Sequence, residues 1–320
     1  MGKRALITGV DGQDGTYLSE LLLSKGYEVH GLIRRSSNHK ENHKYLKDVV
    51  LHYGDICTEN HLCYLINDLK PDELYNLAAQ SDVAVSFQIP EYTGEATGLS
   101  VTRILEAIRY FSPNTKFYQA STSELFGNIP GPQNEDTRMI PSSPYAAAKH
   151  YAYEMTRIYR WSYGIFTCNG ILMNHESPRR GLNFVTRKVT HFVANMKPMD
   201  RLHLGSLDAK RDWGYAPEYC ESMWLMLQQE KPDDYVIGTG ETHTIRELLF
   251  EAFSQVGLDC HDYVEIDQKF VRPLDVFELR ADASKARKIL NWKPKVTFKE
   301  LIRIMVQSDL MEAQKFVTNK

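Results

Sequence analysis

The 320-residue sequence has few cysteines, no long apolar run and little net charge. Its five cysteines are scattered without a CxxC pair, which argues against a disulfide framework and against a zinc site. No run approaches the roughly 20 apolar residues of a membrane span, and the first residues lack the apolar stretch of a signal peptide. We therefore predict a cytoplasmic protein with no metal and no membrane contact.

An excess of charge of one sign is also lacking. Lysine and arginine together number 38 and the acidic residues 41, so the net charge is −3 at pH 7. Without a basic excess, a nucleic-acid partner is not expected. Hydrophobic residues make up 42% of the chain and charged residues 25%, as in ordinary globular proteins. The length fits about two domains.

Short apolar runs alternate with helical patterns in the first half of the chain. This alternation predicts an α/β fold, a doubly wound parallel sheet of the Rossmann type, followed by a smaller, mixed C-terminal lobe. We predict a cofactor-binding domain at 1–174, with 213–238 returning to it, and a substrate lobe at 175–212 and 239–320. The predicted strands are 4–8, 28–33, 49–53, 73–77, 116–120 and 166–172. The predicted helices in this half are 15–24, 58–69, 94–110 and 144–163.

A glycine-rich turn joins the first predicted strand to the first helix. Its glycines, Gly9, Gly12 and Gly15, have the spacing G-x-x-G-x-x-G, with Gln13 and Asp14 between the last two. Glycines let backbone N–H groups approach a pyrophosphate, and the helix N-terminus favours the negative charge. The position between a strand and a helix distinguishes this turn from an ordinary connection and predicts a dinucleotide cofactor.

The end of the second predicted strand indicates which dinucleotide. Enzymes that use NAD usually carry an acid there, about 20 residues past the glycines, to bind the ribose 2′-hydroxyl. This chain has Arg34 and Arg35 instead, which favours a 2′-phosphate and therefore NADP; a solvated basic pair is the alternative. The next strand ends add further predicted cofactor contacts, namely Asp55, Ile56, Leu77, Ala78, Ala79 and Ser81.

Tyr145 and Lys149 form a Y-x-x-x-K motif at the start of a predicted helix. The spacing puts both side chains on one helix face, where an ammonium group lowers the pKa of a nearby phenol from about 10. Such a tyrosine can exchange a proton with a substrate hydroxyl while hydride moves. The alternative is a helix in which the tyrosine packs and the lysine is solvated.

The fifth predicted strand ends in Ser121-Thr122-Ser123-Glu124. A simple hydride-transfer site needs a tyrosine, a lysine and usually a serine or threonine, so Glu124 is an additional acid. A carboxylate beside a sugar ring can remove a proton next to a ketone, as in elimination of water after oxidation. The alternative is a glutamate favoured at a helix start by the dipole.

With these motifs in place, the chain resembles the GDP-mannose 4,6-dehydratase family, a group of extended short-chain dehydrogenases/reductases. The matching segments span nearly the whole chain, and NHESPRRG with NFVTRK is specific to that group. They are GVDGQDGTYLSELLLSKGYEVHGLIRRSS, NLAAQSDVAVSF, YQASTSELFG, SPYAAAKHYAY, NGILMNHESPRRGLNFVTRKV, LDAKRDWGYAPEY, GTGETHTIREL and LNWKP.

The resemblance implies a lyase that holds NADP and acts on GDP-mannose. Tyr145 takes the C4-hydroxyl proton as hydride leaves C4, Glu124 removes the C5 proton, and Glu124 with Thr122 helps water leave from C6. Lys149 holds the nicotinamide ribose. The implied further cofactor contacts are Tyr92, His175 and Arg180. The implied substrate contacts are Ser81, Thr122, Ser123, Asn174, Asn183, Lys188, Arg211 and Arg272.

The chain departs from the family pattern at three places. The family usually has threonine in the turn at Val10-Asp11, and histidine where this chain has Asp82. The stretch 38–50 is shorter than in typical members, in which the segment after R-R-S-S reaches a neighbouring subunit. We therefore expect a homodimer through two helices per subunit, or a homotetramer.

Alternative functions remain open at this point. The same chemistry on another GDP-sugar, such as a manno-heptose, is kept open by Asp82. A GDP-sugar reductase, epimerase or C4 dehydrogenase would not need Glu124. A non-catalytic NADP-binding protein would not need the four residues Thr122, Glu124, Tyr145 and Lys149.

Overall fold

The computed structural model describes residues 2–35, 40–267, 269 and 276–318. Within them, one sheet has seven strands, and three smaller sheets have two or three. The strands of the large sheet are β1 (Arg4–Thr8), β2 (Glu28–Ile33), β3 (Val50–Tyr53), β4 (Glu73–Asn76), β5 (Lys116–Ala120), β6 (Thr167–Leu172) and β11 (Asp234–Ile237).

The large sheet is parallel throughout, with strand order β3-β2-β1-β4-β5-β6-β11. Apolar runs such as Ala5–Ile7 are fully buried because helices cover both faces. The order reverses between β1 and β4, and this switch point is where ligands bind in such sheets. The predicted Rossmann-type α/β fold is confirmed, with each predicted strand within one residue of its observed bounds.

Two layers of helices cover the sheet. On one face, α1 (Gln13–Ser24) and α8 (Ala216–Leu227) bury residues such as Leu18 and Met223. On the other face, α2 (Glu59–Leu69), α5 (Ser100–Phe111) and α6 (Pro144–Tyr163) share a second cluster that includes Ile104. This packing brings the first turns of α1 and α6 to the carboxyl edge of the sheet.

The helix predicted over 94–110 begins earlier and is interrupted. A short helix, α3 (Val83–Ser86), precedes α4 (Pro90–Gly94), which continues through a π-turn at Glu95–Leu99 into α5. Gly94 has helical dihedrals, with φ −60° and ψ −45°, so it does not act as a start signal. Pro90 marks the start, because its fixed φ suits a first helical turn.

The C-terminal half adds a separate hydrophobic cluster around Trp213, Leu248 and Met305. Its helices are α7 (Val185–Asn195), α9 (Ile245–Ser254), α10 (Ser284–Ile289) and α11 (Phe298–Thr318). Its strands are β7 (Asn174–Glu176), β8 (Leu202–Leu204), β9 (Lys210–Arg211), β10 (Trp213–Tyr215), β12 (His243–Thr244), β13 (Val264–Ile266) and β14 (Glu278–Leu279). No helix of the described residues is long and apolar enough to cross a membrane.

Candidate active site

The glycine-rich turn lies where β1 meets α1. Gly9 has φ +67°, and a Cβ atom there would lie 2.9 Å from the Cα atom of Ala78. A Cβ on Gly15 would lie 2.5 Å from the carbonyl oxygen of Gly9. Gly12 caps α1 without a side-chain hydrogen bond, so the N–H groups of the first turn face outward. This arrangement fits a pyrophosphate at the helix N-terminus.

A pocket opens beside this turn at the carboxyl ends of β1, β2 and β4. Many of the predicted cofactor residues line it, and Arg34 donates a hydrogen bond there to the Tyr92 hydroxyl. The predicted residues in the lining are Gly9, Gly12, Arg34, Ile56, Leu77, Ala78, Ala79, Ser81 and Tyr92. The sequence reasoning missed the others, Asp11, Leu32, Ile33, Gly54 and Ala96, although most lie at strand ends or in the turn itself.

Asp55 and Arg35 are among the predicted cofactor residues that lie outside this lining. The Asp55 carboxylate accepts a hydrogen bond from the backbone N–H of Cys57 at 2.9 Å, so it stabilises its own turn. Arg35 is exposed at the end of the described segment that follows β2. Their roles toward a cofactor stay predictions.

The first turn of α6 carries the tyrosine and the lysine. Ser143 caps this helix by accepting a hydrogen bond from Ala146, and Pro144 occupies the first helical position. Tyr145 and Lys149 are both buried. The Lys149 ammonium lies 5.9 Å from the centre of the Tyr145 ring and donates to the carbonyl oxygen of Ala120 at 2.7 Å. The end of β5 therefore holds the lysine beneath the tyrosine.

Burial shifts the pKa values of these two groups in opposite directions. It raises the pKa of Tyr145 to about 12, although a hydrogen bond with Thr122 acts the other way, and it lowers the pKa of Lys149 to about 8. Both shifts favour the neutral forms, because a low-dielectric surrounding disfavours charge. A positive charge brought to this site would stabilise the phenolate.

The end of β5 places the remaining catalytic candidates beside Tyr145. Thr122 begins a short 3₁₀ helix, Ser123–Phe126, and its hydroxyl accepts a hydrogen bond from the Glu124 backbone N–H at 3.2 Å. Thr122, Ser123 and Glu124 are all buried, and the Glu124 carboxylate is close enough to raise the pKa of Tyr145. The hydroxyl oxygen of Ser121 is buried with no hydrogen-bond partner among the described residues.

His175 joins β7 to the glycine turn. Its Nδ1 lies 2.8 Å from the Met173 carbonyl oxygen, and its Nε2 lies 2.8 Å from Oδ2 of Asp14. Since a carbonyl and a carboxylate only accept, both contacts favour the ring with a hydrogen on each nitrogen, and Asp14 accordingly raises the pKa of His175 against the opposing effect of burial. Both ring nitrogens face these two partners, and the ring stacks on Tyr219, so the predicted cofactor contact of His175 stays a prediction.

Further contacts join the start of α1 to β7 and to the residues that follow it. The Gln13 amide donates to the His175 carbonyl oxygen at 3.0 Å and accepts from the Ser177 hydroxyl at 2.7 Å. The Arg180 guanidinium lies 3.1 Å from the Glu176 carboxylate and near enough to Tyr145 to lower its pKa. Gln13, Asp14, His175 and Arg180 therefore lie close to one another, and their contacts with a cofactor stay predictions.

Beyond Ser81, Thr122 and Ser123, the predicted substrate residues follow β6 in the chain. The Asn183 amide donates to the Asp82 carboxylate at 2.8 Å, which ties the loop before α7 to the loop after β4. Oδ1 of Asn174 is buried with no hydrogen-bond partner among the described residues. Lys188 donates to the His203 carbonyl oxygen at 2.6 Å, and Arg211 is buried on β9. Arg272 lies outside the described residues.

Comparison with known proteins agrees with this geometry. The sequence profile of the GDP-mannose 4,6-dehydratase family matches residues 6–305. A GDP-mannose 4,6-dehydratase of Arabidopsis thaliana is 53% identical and is aligned over 98% of this chain and 88% of its own length. The Homo sapiens protein of that name is 46% identical, over 96% of this chain and 91% of its own.

Solved structures show the same architecture. A Thermus thermophilus UDP-glucose 4-epimerase, in complex with NAD, superposes with a TM-score of 0.86 at 28% identity, over 96% of this chain and 98% of its own. A dTDP-glucose 4,6-dehydratase from Bacillus anthracis superposes with a TM-score of 0.86 at 21% identity, over the full length of both chains. The full-length match in sequence, joined to the site at the ends of β1, β5 and α6, shows that the chain belongs to the GDP-mannose 4,6-dehydratase family.

Proposed function

We propose that the chain converts GDP-mannose to GDP-4-keto-6-deoxy-mannose with loss of one water. The observation that carries this proposal is the buried grouping of Thr122, Glu124 and Tyr145 at the carboxyl edge of the sheet. A simple dehydrogenase needs the tyrosine but does not need a buried carboxyl group, such as that of Glu124, beside it. The relatives named for this activity support the same reading.

In this proposal, Tyr145, Glu124 and Thr122 take part in successive proton transfers. Tyr145 accepts the proton of the C4 hydroxyl, so that C4 becomes a ketone. The ketone acidifies the C5 proton, which Glu124 removes; Glu124, with Thr122, then protonates the departing C6 hydroxyl. A proton finally returns to C5. When bound, a nicotinamide would supply the redox chemistry, namely hydride removal from C4 and hydride return at C6.

We propose NADP as the cofactor. The glycine turn, the uncapped N-terminus of α1 and the buried Ser121 hydroxyl fit a dinucleotide. Arg34 lines the pocket beside the turn, where a guanidinium favours a 2′-phosphate. The variant Arg34→Asp should lose most of its NADP affinity and gain relative affinity for NAD, measured by calorimetry. Equal binding of the two cofactors by the unmodified protein would contradict this choice.

We also propose the domain division, the assembly and the compartment. The separate hydrophobic cluster around Leu248 supports a substrate lobe at 175–212 and 239–320. Exposed apolar side chains on α5 and α6 support a homodimer through these helices, with a homotetramer as the alternative. All five cysteines are free, which fits a reducing, cytoplasmic compartment.

The decisive experiment is incubation of the purified protein and NADP with GDP-mannose, followed by mass spectrometry. A product lighter by one water supports the dehydratase. Net consumption of NADPH without loss of water would indicate a reductase instead. GDP-manno-heptose, tested in parallel, decides whether Asp82 redirects the sugar preference.

Glu124→Gln separates the dehydratase from a plain dehydrogenase. The amide is nearly the same size, so folding and cofactor binding should survive, but it cannot act as a base. C4 oxidation should therefore persist while dehydration stalls, visible as absorbance of reduced nicotinamide. In deuterated water the unmodified enzyme should place deuterium at C5. Dehydration by Glu124→Gln at the normal rate would show that Glu124 is not the base.

A further inference from the structure

A hydrogen bond joins the loop after β4 to the loop before α7. The side-chain nitrogen of Asn183 donates to Oδ2 of Asp82 at 2.8 Å. The other carboxylate oxygen of Asp82, Oδ1, accepts from the backbone N–H groups of Ala84 and Val85 at 2.9 Å and 3.1 Å, at the start of α3. One oxygen of this carboxylate therefore caps its own helix, and the other holds the second loop.

Gln80 fixes the position of Asp82. Its side-chain oxygen accepts from the Asp82 backbone N–H at 2.7 Å, and its side-chain nitrogen donates to the Asp82 carbonyl oxygen at 3.0 Å. The same nitrogen donates to the Thr93 hydroxyl at 3.2 Å, and the Gln80 backbone N–H donates to the Thr97 hydroxyl at 3.1 Å. Because both backbone polar groups of Asp82 are bound, its carboxylate is held in place before any ligand arrives.

The bridge also sets the orientation of the Asn183 amide. A carboxylate only accepts hydrogen bonds, so the amide turns its nitrogen toward Asp82 and its oxygen away. This oxygen lies on the side of Gly181, where an added Cβ would come within 2.8 Å of it. Asn183 is exposed, and no described residue donates to its amide oxygen. The oxygen is therefore available to accept a hydrogen bond from a ligand.

The loop that carries Asn183 reaches the catalytic tyrosine. Arg180 stacks on the Phe184 ring at 3.5 Å and lies close enough to Tyr145 for its charge to act on the phenol, against the larger effect of burial. On the other side of the bridge, Ser81 lines the cofactor pocket. A hexose whose C4 hydroxyl meets Tyr145 therefore lies beside the bridge, whereas the guanosine lies two phosphate groups farther away.

We propose that Asp82 is a specificity-determining residue which, together with Asn183, accepts hydrogen bonds from hydroxyl groups of the hexose. C4 and C6 of the sugar react, so the hydroxyls available for recognition are those on C2 and C3. The negative charge of Asp82 repels a phosphate, which assigns the pair to the sugar rather than to the diphosphate. This inference rests on the proposed conversion of GDP-mannose and concerns how its sugar is selected.

Asp82→Asn tests the carboxylate with almost no change of shape. An asparagine still caps α3 through its oxygen, but its nitrogen then faces Asn183, whose amide must turn over to accept. Binding is measured by calorimetry in the Tyr145→Phe background, which prevents turnover. Affinity for GDP-mannose should fall about tenfold, whereas affinity for GDP should stay within about twofold. An equal loss for both ligands would place the pair at the nucleotide and overturn the proposal.

Asn183→Ala is a second variant that leaves the cap of α3 intact. It should show the same selective loss of affinity for GDP-mannose. The matched control is Asp259→Asn, which changes an exposed aspartate that caps another short helix by accepting from the His261 N–H, and both affinities should stay normal. Unchanged binding of GDP-mannose by both Asp82→Asn and Asn183→Ala would overturn the proposal.

Two analogues locate the contacted hydroxyl, GDP-2-deoxymannose and GDP-3-deoxymannose. The Asp82→Asn change should cost no further affinity for the analogue that lacks this hydroxyl, because the contact is already lost. If the losses multiplied fully for both analogues, the bridge would not contact either hydroxyl. Failure of the Tyr145→Phe protein to bind GDP-mannose while it binds GDP would instead contradict the proposed function itself.

Discussion

At the scale of single residues, the site depends on groups whose charge is suppressed by burial. Tyr145, with its pKa raised to about 12, is a phenol at neutral pH, and Lys149, with a pKa of about 8, holds its proton only weakly. The tyrosine therefore needs an added positive charge before it becomes a good proton acceptor. A bound oxidised nicotinamide would bring that charge only when the reaction can proceed.

Tyr145→Phe tests this role because it keeps the ring and removes the hydroxyl. Conversion of GDP-mannose should fall by about three orders of magnitude or more, since proton removal from the C4 hydroxyl loses its acceptor. Binding of GDP-mannose and of NADP, measured by calorimetry, should stay within about threefold of normal. Near-normal turnover would make the tyrosine a structural residue.

At the scale of elements, the Asp14–His175 ion pair connects α1 to β7. It thereby joins the glycine-rich turn to the part of the site that follows β6. Burial opposes both charges, yet the pKa of His175 is raised by Asp14, and the pKa of Asp14 is lowered by His175. The His175 contribution to stability is full below about pH 6.5 and is lost as the pH rises through its raised pKa. The Asp14 contribution is present above about pH 3.9 and is lost as the pH falls through its lowered pKa.

His175→Gln should therefore lower the melting temperature most at mildly acidic to neutral pH. A loss of about 3 to 6 °C is expected near pH 6, shrinking as the pH rises beyond the raised pKa of His175. The matched control is His261→Gln, which removes an exposed histidine paired with Asp259 and should leave the melting temperature within about 1 °C. A loss that does not depend on pH would mean that the ring only packs against Tyr219.

The contact between α1 and the glycine turn gives a second test at this scale. Gly15→Ala would place a methyl group 2.5 Å from the Gly9 carbonyl oxygen and from two backbone atoms of Val10. We expect a loss of at least about 2 kcal/mol in the free energy of unfolding, because backbone on both sides must shift. NADP affinity should fall at least about tenfold, because the first turn of α1 is displaced.

Gly94→Ala is the matched control. Gly94 is helical, and a Cβ there would meet no atom within 4 Å, so this change should be neutral or stabilise by up to about 1 kcal/mol. Denaturant unfolding measures both variants. If Gly15→Ala were as stable as the unmodified chain, the turn would be looser than its close contacts indicate.

At the scale of the whole molecule, α5 and α6 present a joint apolar surface. Tyr151, Ile158 and Trp161 lie along one side of α6, and Tyr110 lies exposed on the neighbouring α5. Thr102 and Tyr151 form a hydrogen bond between the two helices. Adjacent apolar stripes of this kind suit a self-complementary interface around a two-fold axis.

Trp161→Glu should break the proposed dimer. Trp161 is 64% exposed in the single chain, and a charge there would be buried without a partner in the interface. Sedimentation should show a mass halved from that of the unmodified protein. Phe250→Glu on α9, at a residue that is 69% exposed, should leave the mass unchanged. A monomer before any substitution, or an unchanged mass for Trp161→Glu, would contradict the interface.

The sequence by itself determined the features that arise from neighbouring residues. The apolar runs predicted six of the seven parallel strands, since a strand buried on both faces must be almost entirely apolar, and the seventh lies within the range 213–238 that was expected to return to the first domain. The glycine turn and the pair Tyr145 and Lys149 were also visible, because their spacing along one strand, turn or helix sets their geometry. The helix predicted over 94–110 was begun too late, because the helical chain already starts at Pro90 and a glycine such as Gly94 can be accommodated within it.

Only the tertiary structure decided which distant residues meet. Asp14 and His175, Asp82 and Asn183, and Asp11 and His43 belong to different elements, and no local pattern relates them. Their pairing depends on how α1, β7 and the loops pack at the edge of the sheet. The pKa values of Asp14 and His175 follow from that packing, because burial and the facing partner set them, and neither can be read from the order of residues.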